Sequence, residues 1–541
     1  MNPDSLKQGL SIMESKEIQK SLTSQIATGT MFTTVALLMN RASGMVLQMI
    51  LVRMITVDQF GLFKLAIELS SFGIMFVTFF VGGVSASSTT RVVSLHMSSL
   101  RKDRIRSTIE ASVLSVAVMS ILLFSLTFFL MPTVLERIFK IRADLLPDAI
   151  PFFRWFLLYI FLSSIGMVSS AALRSSEFFK AYAITESITN LLRVLLIPVL
   201  LYLGWGLNGI VWGWAAALLV GIIPGLWILE RFTNARRTDL NLSSSMLLDM
   251  RDMTAFGIPV FLSTLSSTVY YSADTIILGY YMPVKFVGIY SAGVVLVHSL
   301  LYLFSGLETA LFPILSSSLE KNKGGQDSRI LERGYRLLCV VTFPAAVYSF
   351  IMAPYMVRFL FGPDYLEAAT PARILAILIV AWAAMPAGVM FMSTGKPEIN
   401  ARLGVVSAIM NVVLNVALIP FFGILGAATA SVTSRAYACI EGIRICRRLF
   451  GVSFPWSYSA RVLILSTVSA APILPAFWVW SVAGSFLQTL LVLILTGSIY
   501  SLFAGTLILK SSVLDAEDRR VIAELLGKTP LKPLCGFLGV N

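Results

Sequence analysis

The sequence predicts an all-α polytopic membrane protein with about fourteen transmembrane helices, grouped as two parallel-repeat six-helix lobes plus two C-terminal helices. Three observations predict it. Of 541 residues, 57% are hydrophobic and only 13% charged, about half the charge of a soluble domain. Runs of roughly twenty apolar residues follow one another from residue 25 to residue 509, each long enough to cross about 30 Å of hydrocarbon. Finally, the hairpin in Met49–Ala66 (MILVRMITVDQFGLFKLA) returns 227 residues later within Phe256–Gly293, with Gly61 on Gly288, Phe63 on Tyr290 and Leu51 on Leu278.

Taken in order, residues 1–24 are polar, carry Lys7, Lys16 and Lys20 and lack the apolar core of a signal peptide, so they read as a cytoplasmic N-tail. An N-lobe over 25–232 holds six spans, roughly 26–52, 61–84, 109–132, 150–173, 181–203 and 207–229. A C-lobe over 253–448 holds six more, roughly 255–280, 286–312, 335–358, 372–393, 401–421 and 424–446. Two further spans fill 458–509, after a linker containing Phe454-Pro455-Trp456. The tail, 510–541, opens on Asp515-Ala516-Glu517-Asp518 and continues from Arg519 to Leu526 before Gly527, the pattern of an N-capped amphipathic helix with a glycine stop. Short links such as Gly204-Trp205-Gly206 and Phe422-Gly423 make their flanking spans antiparallel hairpins.

The repeat extends past one hairpin. Leu196-Ile197-Pro198 closes the fifth span and Leu418-Ile419-Pro420 the eleventh; Gly206-Leu207-Asn208-Gly209 opens the sixth and Gly423-Ile424-Leu425-Gly426 the twelfth. Six spans separate the copies, an even number, so both have one orientation, as in parallel repeats that flank a central pathway. Orientation follows from lysine and arginine. The N-tail, the even-to-odd loops and the C-tail carry about 30 of the 42 basic residues, among them Arg101-Lys102-Asp103-Arg104, Arg236-Arg237, Lys321-Asn322-Lys323 and Arg447-Arg448. Both termini are therefore expected to be cytoplasmic, in a multi-pass protein of the cell membrane.

The formal charge of +13 would suggest nucleic acid in a soluble chain; here the bases sit in loops on one side of a membrane, and no nucleic-acid partner is expected. Cys339, Cys439, Cys446 and Cys535 have no metal-type spacing, and His96 and His298 are far apart, so neither a zinc site nor a disulfide framework is expected. No HExxH or paired-acid motif occupies a loop, which speaks against an enzyme. The loops are too short for a folded extramembrane domain, so whatever the protein handles, it handles within the membrane.

Several stretches resemble polysaccharide and oligosaccharide flippases, a branch of the multidrug/oligosaccharidyl-lipid/polysaccharide exporter superfamily. They are Arg53-Met-Ile-Thr-Val-Asp-Gln-Phe-Gly-Leu-Phe, Asp274-Thr-Ile-Ile-Leu-Gly, Val287-Gly-Ile-Tyr-Ser-Ala, Leu311-Phe-Pro-Ile-Leu-Ser, Phe361-Gly-Pro-Asp-Tyr, Gly395-Lys-Pro and Leu418-Ile-Pro-Phe-Phe-Gly. The resemblance covers roughly residues 25 to 510. It implies two lobes in a V around a central cavity and a cargo of polyprenyl-linked saccharide, moved from the cytoplasmic to the outer leaflet by alternating access. A multidrug and toxin extrusion antiporter, which shares the two-lobe plan, is the alternative.

Intramembrane charges indicate where a cargo is held, because a charge at mid-bilayer costs about 2.5–3.5 kcal/mol on insertion scales. The first span puts Arg41 and Gln48 on one helical side, with Arg53 at its end. The fifth puts Glu186, Asn190 and Arg193 on one face, Lys64 and Glu68 sit four apart on the second, and Arg154 lies near the outer end of the fourth. If these line one cavity, the N-lobe is its cationic wall, and Asp274, Glu308 and Glu441 face Arg435 in the C-lobe. A lipid diphosphate needs such a wall, since arginine offers its oxygens a fixed fork of donors. Arg41 and Arg193 are the expected diphosphate ligands, with Arg154 and Arg53 near the exit and Asn190 and Gln48 among the polar groups that meet the cargo. Plainer readings stand beside these: Lys64 and Glu68 as a helix pair, Arg154 as an interfacial snorkel, Arg53 as an anchor, and Glu186 with Arg193 as a link within one helix.

Asp274, Glu186, Glu68, Arg435 and Glu308 form the coupling or interlobe set. Asp274 has three open roles: binding a coupling proton or sodium ion, holding an arginine of the other lobe, or capping the hairpin. No cofactor beyond such an ion is expected. The expected partners are the lipid-linked saccharide, membrane lipids and other polysaccharide-assembly proteins, around a monomeric transport unit.

Overall fold

The computed structural model of the chain describes residues 32, 36–80, 86–98, 102–175, 178–232, 244–321, 327–476, 482, 484–511, 513–515 and 519. The N-tail, the tail helix beyond Arg519, Arg101, Arg236-Arg237, Asn322-Lys323 and Cys535 lie outside the described residues, as does the side chain of Glu308. Among the described residues every regular element is helical and no strand occurs. Ten stretches among them are long and apolar enough to cross a membrane, which makes this a multi-pass membrane protein. In lipid a backbone N–H finds no water, and the helix satisfies it internally. The expected fourteen spans run partly over residues outside these, and one of the ten, Pro397–Phe450, contains two expected spans.

The chain divides into two compact units, Met1–Met54 with Leu69–Thr264, and Ile55–Glu68 with Leu265–Asn541. The first contains α1 (36–54), the later part of α2 (Val57–Phe80), α3 (Ala86–Ser98), α4 (Lys102–Thr133), α5 (Leu146–Ser175), α6 (Phe179–Tyr202) and α7 (Gly206–Phe232). The link between α6 and α7 runs through Gly204 at φ 82° and Gly206 at φ 55°, backbone conformations that favour glycine. α6 ends at Tyr202, beside the expected end of the fifth span at 203, and Pro198 lies inside its last turns. Close packing of α6 on α7 explains Gly213 of α7. A Cβ on Gly213 would lie 2.6 Å from Ile197 Cγ1, so the small residue is what lets the two helices approach.

The second unit begins with the first turns of α2, which lie within the first copy of the repeated hairpin. Its N-terminus is closed by a reciprocal capping box: Thr56 N–H donates to Gln59 Oε1 at 3.1 Å, and Gln59 N–H donates to Thr56 Oγ1 at 3.2 Å. The turns then pack on the start of α9 (Val284–Lys321), and here the sequence repeat meets itself. A Cβ on Gly61 would run into the Val284 carbonyl oxygen, and one on Gly288 would lie 2.5 Å from the Val57 carbonyl oxygen. Gly61 and Gly288 are 227 residues apart, as are Val57 and Val284, so the contact is a quasi-two-fold crossing of equivalent backbones. Phe60 reinforces it, edge-on to Tyr365 at 5.7 Å.

The rest of the unit comprises α8 (Ser244–Tyr281, from Leu265 onward), α10 (Asp327–Phe361), α11 (Ala369–Leu375), α12 (Ile377–Ala381), α13 (Met385–Ser393), α14 (Pro397–Phe450), α15 (Trp456–Val468) and α16 (Phe486–Lys510). The expected span 372–393 is not one helix but three short ones with a 3₁₀ turn, Trp382–Ala384, before α13. Pro386, in the first turn of α13, has no N–H to continue a preceding ladder. α14 is broken at Gly423, whose φ of 54° and ψ of −129° no helix contains, so the eleventh and twelfth spans fold back on each other at the link read from the sequence. The core joins Leu331, Tyr335, Leu338 and Cys339 of α10 to Met390 and Phe391 of α13 and Ile508 of α16.

The last helix, α16, and the residues leading into it are tied to α10 by polar as well as apolar contacts. Tyr348 Oη donates to the Leu493 carbonyl at 2.9 Å, and Arg358 Nη2 to the Gly484 carbonyl at 2.9 Å. Phe359 stacks on Phe486 at 4.9 Å.

Candidate functional site

Each unit carries a polar centre inside an apolar fold. In the first, the spacing 186, 190, 193 places three polar side chains on one face of α6, and the structure gives them different neighbours. Glu186 turns to α5, where Ser170 Oγ donates to its Oε1 at 2.9 Å. Arg193 Nη1 donates to Asn190 Oδ1 at 3.4 Å, and the guanidinium lies 5.8 Å from the Trp214 ring centroid. Tyr159 completes the wall, its ring 4.8 Å from that of Trp214.

Asn190 is only 3% exposed. Its Nδ2 and the Nε of Arg193 are buried without a hydrogen-bond partner among the described residues. A buried donor left unmade costs about 1–3 kcal/mol, more if charged. Both groups donate only, so what satisfies them is an acceptor oxygen.

The other candidates of this unit are dispersed. Arg154 is spent on α4: its Nε donates to the Phe128 carbonyl at 3.1 Å and its guanidinium lies 4.6 Å from the Phe128 ring centroid. On α1, Arg41 and Arg53 are exposed and Gln48 is half-buried, while Leu47 and Leu51 on the same helix are buried. Thus the structure joins Asn190 to Arg193 and gives Arg154 a structural contact.

The second centre is built around Asp274 of α8, 7% exposed. Tyr290 Oη of α9 donates to Oδ2 at 2.7 Å, Asn415 Nδ2 of α14 donates to Oδ1 at 2.7 Å, and Ser431 Oγ, also of α14, donates to Oδ2. Asn415 Nδ2 reaches Asn411 Oδ1 at 3.0 Å as well, and Asn411 Nδ2 donates to Ser431 Oγ at 3.4 Å. These partners are neutral. Asn415 Oδ1 is buried with no hydrogen-bond partner among the described residues.

The network rests on the fold-back at Gly423, which sets Asn411 and Asn415 beside Ser431. Tyr290, Asn411, Asn415 and Ser431 are the functional candidates that the sequence reading missed. The available signal was a pair of asparagines four residues apart in an apolar run, which a helix places on one face.

Around this network, Ser272 Oγ donates to Glu68 Oε2 at 2.6 Å, and the Lys64 ammonium lies 5.4 Å from the Phe60 ring centroid. Lys64 and Glu68 therefore belong with the second unit. Arg435 lies over the Tyr270 ring at 5.9 Å, and Glu441 pairs with Arg444 at 3.3 Å.

The fold and its buried polar centres define a multi-pass helical membrane protein. Similarity to solved structures agrees on the fold. The lipid II flippase MurJ in an inward closed conformation superimposes with a TM-score of 0.66 over 88% of this chain and 99% of that one, at 13% identity. An inward-facing multidrug resistance MATE family transporter of the MOP superfamily gives 0.61 over 77% of this chain and 97% of that one, at 16% identity.

Residues 50–370 match the family described as polysaccharide biosynthesis protein, more than half of the chain, and the chain belongs to that family. Two curated relatives come from Haloferax volcanii. The probable flippase AglR is 26% identical over 277 residues, 50% of this chain and 56% of the relative. The probable low-salt glycan biosynthesis flippase Agl15 is 22% identical over 258 residues, 47% of this chain and 54% of the relative. The chain thus spans little more than half the length of these relatives.

Proposed function

We propose that this protein is a flippase that moves a polyprenyl-(pyro)phosphate-linked oligosaccharide from the cytoplasmic to the outer leaflet of the cell membrane by alternating access, for surface polysaccharide or glycan assembly. It works as a monomeric transport unit with both termini cytoplasmic, alongside other polysaccharide-assembly proteins, and makes or breaks no covalent bond in the cargo. The observation that carries this reading is the pair of buried, unsatisfied donors at Asn190 and Arg193. A diphosphate entering hydrocarbon must replace its water with fixed donors, and guanidinium N–H groups do so with charge-assisted bonds. Relatives named as flippases support the same assignment.

In this reading Arg193 and Asn190 hold the diphosphate, Arg41 with Gln48 extends the cationic face along α1, and Arg53 and Arg154 lie toward the exit. Arg154 keeps its Phe128 contact and offers its terminal N–H groups. Asp274 is the coupling group. A carboxylate surrounded by neutral donors in a low-dielectric interior is best neutralised by a proton or a small hard cation. The spare oxygen of Asn415, with those of Asn411 and Ser431, adds the oxygen donors a sodium ion takes.

The test is reconstitution in liposomes with a fluorescent lipid-linked oligosaccharide, scored by outer-leaflet exposure with and without a proton or sodium gradient. Gradient-stimulated exposure is expected. Binding of cationic drugs together with indifference to lipid diphosphate saccharides would replace this reading with a multidrug antiporter. Asp274→Asn is expected to remove the gradient response while leaving gradient-free exposure measurable; an unchanged response removes Asp274 from coupling. Asp274→Ala goes further, since each donor left without an acceptor costs about 1–3 kcal/mol, and a lowered thermal midpoint checks it.

A further inference from the structure

One polar device is built twice, once in each unit. Phe128 of α4 and Phe350 of α10 each precede a proline by four residues, Pro132 and Pro354, and both prolines lie inside their helices. Proline has no N–H, so neither phenylalanine carbonyl receives the bond that a helix ordinarily gives it. In both units an arginine of the following span supplies one instead. Arg154 Nε of α5 donates to the Phe128 carbonyl at 3.1 Å, from 26 residues along the chain. Arg373 Nε of α11 donates to the Phe350 carbonyl at 3.2 Å, from 23 residues along. Each guanidinium also lies over the ring of the same phenylalanine, at 4.6 Å and 6.0 Å from the centroid. The third and fourth expected spans of each lobe thus carry the same motif, in the same order.

Satisfying a carbonyl does not require a charge. Serine or threonine does so in a membrane helix, whereas an arginine among apolar side chains is costly unless its charge is used. The bond through Nε leaves the Nη1 and Nη2 groups, an edge that grips two oxygens of one anion. With Nε tied and a ring against its face, that edge is held in a fixed orientation before any ligand arrives. The surroundings select the ligand. Phe129, next to Phe128, is 77% exposed, Phe350 itself is 49% exposed, and Ile377, one turn after Arg373, is exposed as well. Outward-facing apolar side chains in a membrane span meet acyl chains, so the anion arrives attached to one. A saccharide would leave its hydroxyls without partners on such a surface.

We infer that Arg154 and Arg373 are equivalent sites, one in each unit, for the phosphate of a lipid in the outer leaflet. The inference rests on the flippase reading for the choice of leaflet, because that reading sets both arginines at span ends opposite the cytoplasmic termini. It extends to the second unit the exit role given to Arg154. Phosphate oxygens accept from the Nη edge, and the chains of the lipid lie along the exposed faces of α4 and α10.

The experiment uses the full chain, stripped of lipid in detergent, with native mass spectrometry resolving successive bound molecules. Four probes are titrated: phosphatidylglycerol, a polyprenyl monophosphate, a phosphate-free galactolipid and inorganic phosphate. Phosphatidylglycerol is expected to fill two sites about tenfold or more tighter than the galactolipid fills any, as a charge-assisted pair requires. Arg154→Gln and Arg373→Gln each remove one tight event, and the double variant removes both. Glutamine keeps a donor for the carbonyl, so thermal midpoints stay at the wild-type value, whereas alanine at either position lowers them. Both phosphate lipids support the inference: a preference for the polyprenyl phosphate assigns the sites to the cargo, and no preference assigns them to leaflet lipid.

Tight events that persist in the double variant, a galactolipid bound as tightly as phosphatidylglycerol, or inorganic phosphate bound as tightly as either lipid would each overturn it. Transport of the lipid-linked saccharide by the wild-type chain is measured separately. Transport without tight phosphate-lipid events removes these two sites alone. Failure to move any lipid diphosphate removes the flippase reading and leaves the lipid titration to judge the arginines.

Discussion

Alanine at Gly61 or Gly288 is expected to lower the thermal midpoint of the purified protein, by the largest amount of any single methyl addition at a helix crossing in the second unit. The added carbon at Gly61 meets the Val284 carbonyl, and the one at Gly288 meets the Val57 carbonyl at 2.5 Å. Neither obstacle is the end of a flexible side chain, so the two helix starts must move apart. Overpacking typically costs about 1–3 kcal/mol, and a clash with backbone sits at the upper end. Against a total stability of about 5–15 kcal/mol, that is a large share.

The control is Gly44→Ala on α1, where a Cβ has nothing within 4 Å and alanine gains about 0.5–1 kcal/mol of helix propensity. Melting curves in one detergent decide it. Wild-type midpoints for both Gly61→Ala and Gly288→Ala would show that the crossing is not close-packed. Because the two glycines occupy one contact, the double variant is expected to cost less than the sum of the singles.

Arg193→Ala is expected to reduce transport of a lipid diphosphate saccharide about tenfold to 150-fold while leaving the protein folded and inserted, the loss that corresponds to one charge-assisted bond of about 1.5–3 kcal/mol. The guanidinium is held in place by Asn190 at 3.4 Å and by the Trp214 ring, so its orientation does not depend on the cargo. Arg193→Lys retains the charge but loses the planar fork and should fall between wild type and alanine. Asn190→Asp sets a carboxylate beside the guanidinium, neutralises it and repels the diphosphate, and should be as severe as Arg193→Ala. Outer-leaflet exposure of the fluorescent cargo in liposomes gives all three values. Full transport in Arg193→Ala and Asn190→Asp would withdraw the diphosphate site from α6.

Arg193 and Asn190 were legible because the interaction is local. Three residues along a helix bring two side chains together whatever surrounds them, and an arginine in an apolar span has few uses other than binding or pairing. The Gly61 hairpin was legible for a related reason. A backbone crossing tolerates only glycine, so both copies keep it at the same register and the repeat shows through a diverged sequence. The Arg154 contact was not legible, because the Phe128 carbonyl that engages it lies 26 residues away.

The Asp274 network was not legible beyond its aspartate. Its donors lie 16, 141 and 157 residues away along the chain. Nothing in a serine or tyrosine code says which distant carboxylate it will meet.

What the sequence by itself determined is the class of protein, its helices, its repeat and the sign of its intramembrane charges. These follow from one-dimensional properties: a hydrocarbon layer demands unbroken apolar runs, and the backbone within it must bond to itself. Only the tertiary structure decided which polar groups are satisfied. It gave Glu186 to Ser170, surrounded Asp274 with neutral donors, moved the Lys64 and Glu68 turn onto the second unit, and left Asn190 and Arg193 with donors in need of an acceptor. Satisfaction is a property of three-dimensional neighbours, and at a few ångströms a hydrogen bond is made or lost whatever the spacing along the chain.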